Sequence, residues 1–493
     1  MSSLRPFGRR AVVAGVAIMT LASGAGVASA ADAPPGPNRT EMLGQFFDWW
    51  TPAEYDSTDE STVRATGFKG DVTDAGAAVL GHNDEFVQAI NHAGAADPAQ
   101  SVRALEDADM IWTETLRDAL GPKLGEYFIG GVEDGSLPKT VAAIESAEKN
   151  SSTGSAKTDF NYPRPFMLTS DKDKGGFGDR SRNGENDFKN LSPQLDIQRI
   201  PDQGARPDNG KPHSAEYDVF SGVGPKGVTG LNQAFPSGHT TYAYGIGLQL
   251  ATLLPELGPE IVTRSSEAGN NRIVLGVHYP LDVMGGRISS HINTATALAG
   301  DGYVENTIEP AREELVGYLA GRCAGDGLGD TLDACIDATG ANDAGGYTNP
   351  FTDPVSTAPV TDRASAIQAY TSRMSYGFSP VTAEGEAPRV PENAEALLVT
   401  AFPELTDQQR KAVLAATEID SGDPLDASSE GWQRINLAAA LSSKVTVDAV
   451  GNVTKVEPGN AAPEVVEETG VNLGGSLATF TTATGSALQL AGI

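Results

Sequence analysis

The sequence predicts a mainly α-helical protein with a small β-rich C-terminal tail. Apolar residues recur at helical spacing on both sides of three clusters of charged and small polar residues. Proline and glycine punctuate those stretches, and strand-like alternation appears only near the C-terminus. At 493 residues the chain exceeds the ~250–300 that one core usually supports, so one large domain with extensions, or two domains, is expected. A 39% hydrophobic composition suffices for a core, while 56 glycines and 30 prolines make the chain loop-rich.

Residues 1–30 read as a secretory leader. Arg5, Arg9 and Arg10 precede a short apolar run from Ala11 to Ala22, and Ala28-Ser29-Ala30 is a small-residue cleavage site. The mature chain is expected to begin at Ala31 and to be secreted outside the cell, with a periplasmic or cell-wall location as the alternative. Arg9-Arg10 also fits a twin-arginine leader. Residues 31–100 are expected to form an N-terminal extension, extended over its Pro- and Asp-rich first half. Residues 101–442 are expected to be the helical domain, with its chemistry between 157 and 282. In its first part Val102, Leu105, Met110, Ile111, Leu116 and Leu120 keep helical spacing, and Gly121-Pro122 reads as a stop.

The long segment 166–235 has little periodicity, and loops of that length are usually functional or disordered. Its run from Asp171 to Gly176 lacks the third acidic position and distal Glu of a calcium loop, so a solvated loop is favoured. Helices are expected at Ser237–Leu254, before His278, and from Pro280 to about Ala299. Residues 324–364 read as loop. Short helices are expected within 391–442, one capped by Thr406 or Asp407. Residues 443–493 read as a β-hairpin around Gly451-Asn452 followed by a Gly/Thr-rich tail. The only two cysteines, Cys323 and Cys335, are expected to form a disulfide in an oxidising compartment; with no histidine nearby they make a poor zinc site.

Net charge is −30, which argues against nucleic-acid binding and against anionic membrane surfaces. No segment beyond the leader has the ~18 uninterrupted apolar residues of a membrane span, so membrane insertion is not expected. Three clusters stand out from this acidic background: Lys157-x6-Arg164-Pro165, Pro236-Ser237-Gly238-His239 and Asn271-Arg272-x5-His278-x3-Asp282. Lys157, Arg164 and Arg272 supply cations suited to an oxyanion, the arginines as planar forks and the lysine as a point charge. Ser237-Gly238 opens a helix whose N-terminal amides can face an anion. If the turn after His278 is helical, Asp282 can accept its Nδ1–H and leave Nε2 as a nucleophile. Alone, the clusters also read as two solvated cations, a helix cap and a structural His–Asp pair. Together and in this order they point to one oxyanion pocket.

In that order the clusters resemble the three-part signature of the type 2 phosphatidic acid phosphatase superfamily: Lys-x6-Arg-Pro, Pro-Ser-Gly-His and Ser-Arg-x5-His-x3-Asp. That superfamily includes secreted bacterial non-specific acid phosphatases, integral-membrane lipid phosphatases and vanadium-dependent haloperoxidases. Asn271 replaces the leading serine of the third part and can donate a similar hydrogen bond. The resemblance covers about Ser101–Ala299, and the stretch from Arg373 to Asn436 looks like the C-terminal part of larger secreted members. It implies a helical bundle of the acid phosphatase/vanadium haloperoxidase type. It also implies that His278 attacks phosphorus, Asp282 orients His278, and His239 protonates the leaving alcohol and then activates water. Lys157, Arg164, Ser237, Gly238 and Arg272 would hold the phosphate.

The spacing of 39 residues between His239 and His278 resembles that of the secreted phosphatases; in haloperoxidases the second and third clusters usually lie far apart. A secreted acid phosphatase acting on small phosphorylated substrates, with no cofactor and no metal, is therefore expected. The enzymatic alternative is a vanadium-dependent haloperoxidase with vanadate as its cofactor. The non-enzymatic alternative is a secreted surface-binding protein using its acidic body and Gly/Thr-rich tail.

Overall fold

The computed structural model describes residues 38–52, 70–148, 151–168, 195–213, 233–355, 358–459, 462–468, 479–481 and 487–489. The leader, the 171–176 run, most of the 166–235 segment and most of the tail beyond 469 lie outside the described residues. Those that are described are mainly helical, as predicted. Their helices of seven residues or more are α1 (Gly76–Ala96), α2 (Pro98–Ala108), α3 (Gly121–Glu133), α4 (Pro138–Glu148), α5 (Gly154–Phe160), α6 (Gly238–Leu253), α7 (Gly258–Val274), α8 (Pro280–Leu298), α9 (Glu309–Asp326), α10 (Leu332–Thr339), α11 (Arg363–Ser375) and α12 (Asp407–Thr417). Among them no helix is long and apolar enough to cross a membrane.

The centre is built from α6, α7 and α8. Helix α6 packs on both others and on α4, while α7 also meets α1, α2 and α11. Every residue of α6 from Thr240 to Leu253 is buried, as expected of a helix apolar on all sides. Helix α7 is also wholly buried, yet it carries Glu260, Arg264, Glu267 and Arg272. Burial is tolerable because partners are supplied: Glu260 meets Arg363 at 2.6 Å, Arg264 meets Asp107 at 2.6 Å and Glu267 meets Arg103 at 2.5 Å.

Several elements depart from the sequence pattern. Gly121-Pro122 starts α3 instead of stopping a helix, because a first-turn proline loses no hydrogen bond. The preceding helical stretch breaks at Met110, whose φ is +56°. The 31–100 extension contains α1, a 21-residue helix. Its buried face includes Asn83 and Asn91, which blur the apolar stripe. Asn83 accepts the Leu281 N–H at 3.1 Å and Asn91 donates to Val274 O at 2.7 Å. Within the Pro- and Asp-rich stretch, Arg39–Met42 is a helical turn and Gly44–Asp48 a 3-10 turn. Segment 324–364 contains α10, joined to α9 by the Cys323–Cys335 disulfide.

Strands β1 (Trp50–Pro52) and β2 (Gly70–Val72) pair antiparallel. In the C-terminal part β3 (Ser443–Val447) pairs antiparallel with β4 (Val453–Pro458), the expected hairpin, and parallel with β5 (Glu464–Glu467). β6 (Thr479–Thr481) pairs antiparallel with β7 (Ala487–Gln489). Thr406 caps α12 through the Gln409 N–H.

Close approach of α8 to the start of α6 depends on Gly286. A Cβ there would lie 2.8 Å from Ser237 O and 2.7 Å from Thr240 Cβ. Gly286→Ala is expected to cost roughly 1–3 kcal/mol through overpacking. Gly317→Ala, at an exposed position of α9 with nothing within 4 Å, is expected to stabilise by about 0.5–1 kcal/mol. Denaturant unfolding of both variants checks this; equal effects would contradict the packing described.

Candidate active site

All three clusters converge, each delivered by different local structure. Lys157 lies on α5, which Asn161 closes in the left-handed region at φ +44°, its N–H on Lys157 O. Lys157 Nζ donates to the carbonyls of Gln233 and, at 3.0 Å, Ala234. The Ala234 N–H returns to Tyr162 O at 2.8 Å, so the first cluster and the approach to the second lie side by side. Aromatic packing braces this junction: Phe46 stacks on Phe235 at 4.1 Å, and Phe160 meets Phe235 edge-on at 4.8 Å.

Ser237 is the N-cap of α6. Its Oγ accepts the Thr240 N–H at 3.2 Å and the Thr240 hydroxyl at 2.9 Å. With both acceptor positions used, its own O–H is left as a donor. The Ser237 N–H is taken by Asp282 O at 2.9 Å, tying the second cluster to the third. Of the two amides expected to face an anion, Ser237 and Gly238, that of Ser237 is thus committed to Asp282 O, and Gly238 opens the first turn of α6.

Helix α7 ends just after Arg272, and Gly276, at φ +67°, turns the chain toward His278. The Val277 and His278 amides fold back onto Arg272 O at 3.2 and 3.3 Å. Arg164 Nη1 reaches Val277 O at 2.9 Å and His278 Nε2 at 3.0 Å. His278 Nδ1 lies 3.0 Å from Asp282 Oδ2, which also accepts the Tyr279 N–H at 2.8 Å. A guanidinium can only donate, so Nε2 carries the lone pair and Nδ1 the hydrogen. Both His278 and Asp282 are fully buried.

Electrostatics agrees with a neutral imidazole. Burial, then Arg164, Lys157, Arg272 and His239, hold His278 well below the usual imidazole range. Burial pushes Asp282 up to about 7, against the pull of the Tyr279 N–H, Lys157 and Arg164. The three cations of the separate clusters thus act on one imidazole.

His239 is half-buried in the first turn of α6, its Nε2 3.2 Å from Ala108 O. That carbonyl, at the end of α2, was not legible in the sequence because backbone acceptors leave no residue signature. Asn271, at the position of the signature's leading serine, joins the buried charge network of α2 and α7. Its amide donates to Asp107 at 2.7 Å, and Asp107 is itself held by Arg264.

Residues 147–298 match the family model described as the PAP2 superfamily. All three clusters fall inside the matched segment. The chain is 37% identical over 108 residues to an acid phosphatase of Zymomonas mobilis subsp. mobilis, covering 22% of this chain and 38% of that protein. It is 32% identical over 84 residues to the non-specific acid phosphatase of Salmonella typhimurium, covering 17% and 33% respectively. A non-specific acid phosphatase of Providencia stuartii is 31% identical over 84 residues, covering 17% and 34%. The chain thus spans little more than a third of the length of the curated relatives it matches.

The His278 shift yields a direct test. Removing the Arg164 cation in Arg164→Gln should let the His278 pKa rise toward ~6.5, its unperturbed value. Side-chain nitrogen NMR titration of His278 in parent and variant reads this without reference to activity. An unchanged or lower value in Arg164→Gln would contradict the geometry.

Proposed function

We propose that this chain is a secreted acid phosphatase that hydrolyses phosphomonoesters without a metal, through a phosphohistidine intermediate. The reading rests chiefly on the tautomer of His278: Nδ1–H on Asp282 and a lone pair on Nε2 beside Arg164. That nitrogen is neutral, oriented and surrounded by cations, which is what attack on an anionic phosphorus centre requires.

In the first step Nε2 attacks phosphorus, a P–N bond forms and the P–O bond to the alcohol breaks. Asp282 stabilises the charge that develops on the imidazole ring. Lys157, Arg164, Arg272, the Ser237 hydroxyl and the first-turn amides of α6 hold the equatorial oxygens, where charge is spread in the transition state. Protonated His239 gives its proton to the departing alkoxide. The Ala108 carbonyl takes its Nε2–H and fixes the ring, so the second N–H is the one transferred. In the return step neutral His239 takes a proton from water, water oxygen attacks phosphorus, and the P–N bond breaks to release phosphate. Opposite protonation demands on His239 and His278 place the optimum in mildly acidic solution.

The full chain is expected to hydrolyse p-nitrophenyl phosphate in EDTA, fastest at mildly acidic pH. Rapid-quench labelling should trap an acid-labile phosphoenzyme that His278→Ala abolishes. His239→Ala should still form it from a substrate with a good leaving group. Arg272→Ala is expected to lower kcat roughly 10²–10³-fold. Hydrolysis that appears only after metal addition, or label retained in His278→Ala, would overturn the mechanism.

Vanadate adopts the trigonal, five-coordinate geometry of phosphoryl transfer. It should inhibit competitively, binding ~10²-fold or more tighter than substrate. Inhibition should vanish with the oxyanion pocket in His278→Ala, measured by vanadate binding. A parent enzyme insensitive to vanadate would contradict the pocket, and a vanadate-loaded chain that oxidises halide with peroxide but hydrolyses no ester would favour the haloperoxidase chemistry instead.

A further inference from the structure

A second cluster of functional side chains lies beside the first, at the end of α2. Asp109, Glu114 and His213 bring one ligand atom each to within 4.8 Å of one another. We propose that these three side chains bind one divalent transition-metal ion, Zn²⁺ by ligand type, separate from the phosphate pocket. One imidazole nitrogen and two carboxylate oxygens form a donor set that suits this ion and leave a fourth position for water.

Burial supports the assignment. Side-chain exposure is 5% for Asp109, 7% for His213 and 11% for Glu114. Glu114 Oε2 is buried with no hydrogen-bond partner, a costly state for a carboxylate oxygen that a cation would relieve. Two guanidiniums lie nearby, each close to the other oxygen of its carboxylate. Arg206 is 3.5 Å from Asp109 Oδ1 and Arg117 is 3.9 Å from Glu114 Oε1. Asp109 Oδ2, which now meets His213 Nδ1, and Glu114 Oε2 remain for the ion. The neutral imidazole and two carboxylates match the charge of a divalent cation, and the two guanidiniums, on the more exposed side chains, stay on the outer carboxylate oxygens. Any proton on the coordinating His213 nitrogen leaves on binding.

The backbone already holds the three residues together. Met110, at φ +56°, turns the chain directly after Asp109, and the single helical turn Trp112–Thr115 carries Glu114. His213 is fixed by paired backbone bonds with Gln203, at 2.9 and 3.0 Å. The ion would therefore clamp the 195–213 segment onto the end of α2. The carbonyls flanking Asp109 contact α6: Ala108 O holds His239 Nε2 at 3.2 Å, and Met110 O accepts the Tyr242 hydroxyl at 2.7 Å. The site is thus built into the backbone that orients His239, although none of its ligands belongs to the phosphate pocket.

The test uses the full chain, stripped with EDTA, dialysed and titrated with Zn²⁺ by calorimetry. One equivalent should bind saturably and raise the unfolding temperature. Glu114→Gln and His213→Ala should each weaken binding at least ~10-fold, as loss of a ligand requires. Glu114→Gln should unfold like the metal-free parent when Zn²⁺ is absent, whereas His213→Ala also loses the contact with Asp109 and serves only as a binding control. His92→Ala, which removes an exposed histidine 3.6 Å from Asp196, should bind like the parent. Absence of saturable binding, equal binding in Glu114→Gln and parent, or loss confined to His92→Ala overturns the proposal. The readout is metal uptake, so its failure is distinct from failure of the phosphatase reading.

Discussion

Arg264 and Asp107 meet as a bidentate pair, at 2.6 and 3.1 Å, with side chains almost wholly removed from solvent. The pocket above depends on this pair. Asp107 also accepts from Asn271, and Arg264 extends to Asp118 at 2.9 Å. Glu267 completes the network through Arg103 and the Tyr347 hydroxyl. Burial alone would raise Glu267, yet Arg103 and Arg264 hold it down to about 2. Buried charges are tolerated when every partner is present and are costly when one is missing, so α2 and α7 are held in one register. Ala108, the carbonyl partner of His239, is the next residue after Asp107. Arg272, which caps the turn leading to His278, is the next after Asn271. One buried network therefore sets the position of both histidines.

Above that network the charge balance inverts locally. The chain as a whole carries −30, but Lys157, Arg164 and Arg272 all act on His278. Low-dielectric walls make a few cations dominate a pocket despite the sign of the distant surface. Burial, reinforced by the same cations that would hold a phosphate, keeps the imidazole neutral. Under the proposed mechanism, binding and nucleophile activation would be one electrostatic arrangement, with Asp282 on the far side of the ring.

Much of this was legible in the residues. Helix α6 showed in its apolar spacing, α8 in Pro280, the α12 cap in Thr406, and the hairpin in its alternation. What escaped had physical causes. Buried Asn83 and Asn91 blur the stripe of α1, because their hydrogen bonds to distant backbone make polar residues acceptable in a core. Gly121-Pro122 reads equally as an end or a beginning, and tertiary contact decides which. β5 joins β3 in parallel, a pairing that no local turn announces.

By itself the sequence determined which residue types meet and in what order: three cations, a capped glycine turn and two histidines, since chemistry and short-range spacing are local properties. Tertiary structure alone decided which atoms face each other. It gave the Ser237 amide to Asp282, turned Asn271 away to Asp107, and placed the Ala108 carbonyl on His239. It also gathered Asp109, Glu114 and His213 from a helix end and a remote segment. Hydrogen bonds and ligand sets between residues a hundred positions apart depend on how helices pack, and that packing energy is spread over the whole core rather than written in any one motif.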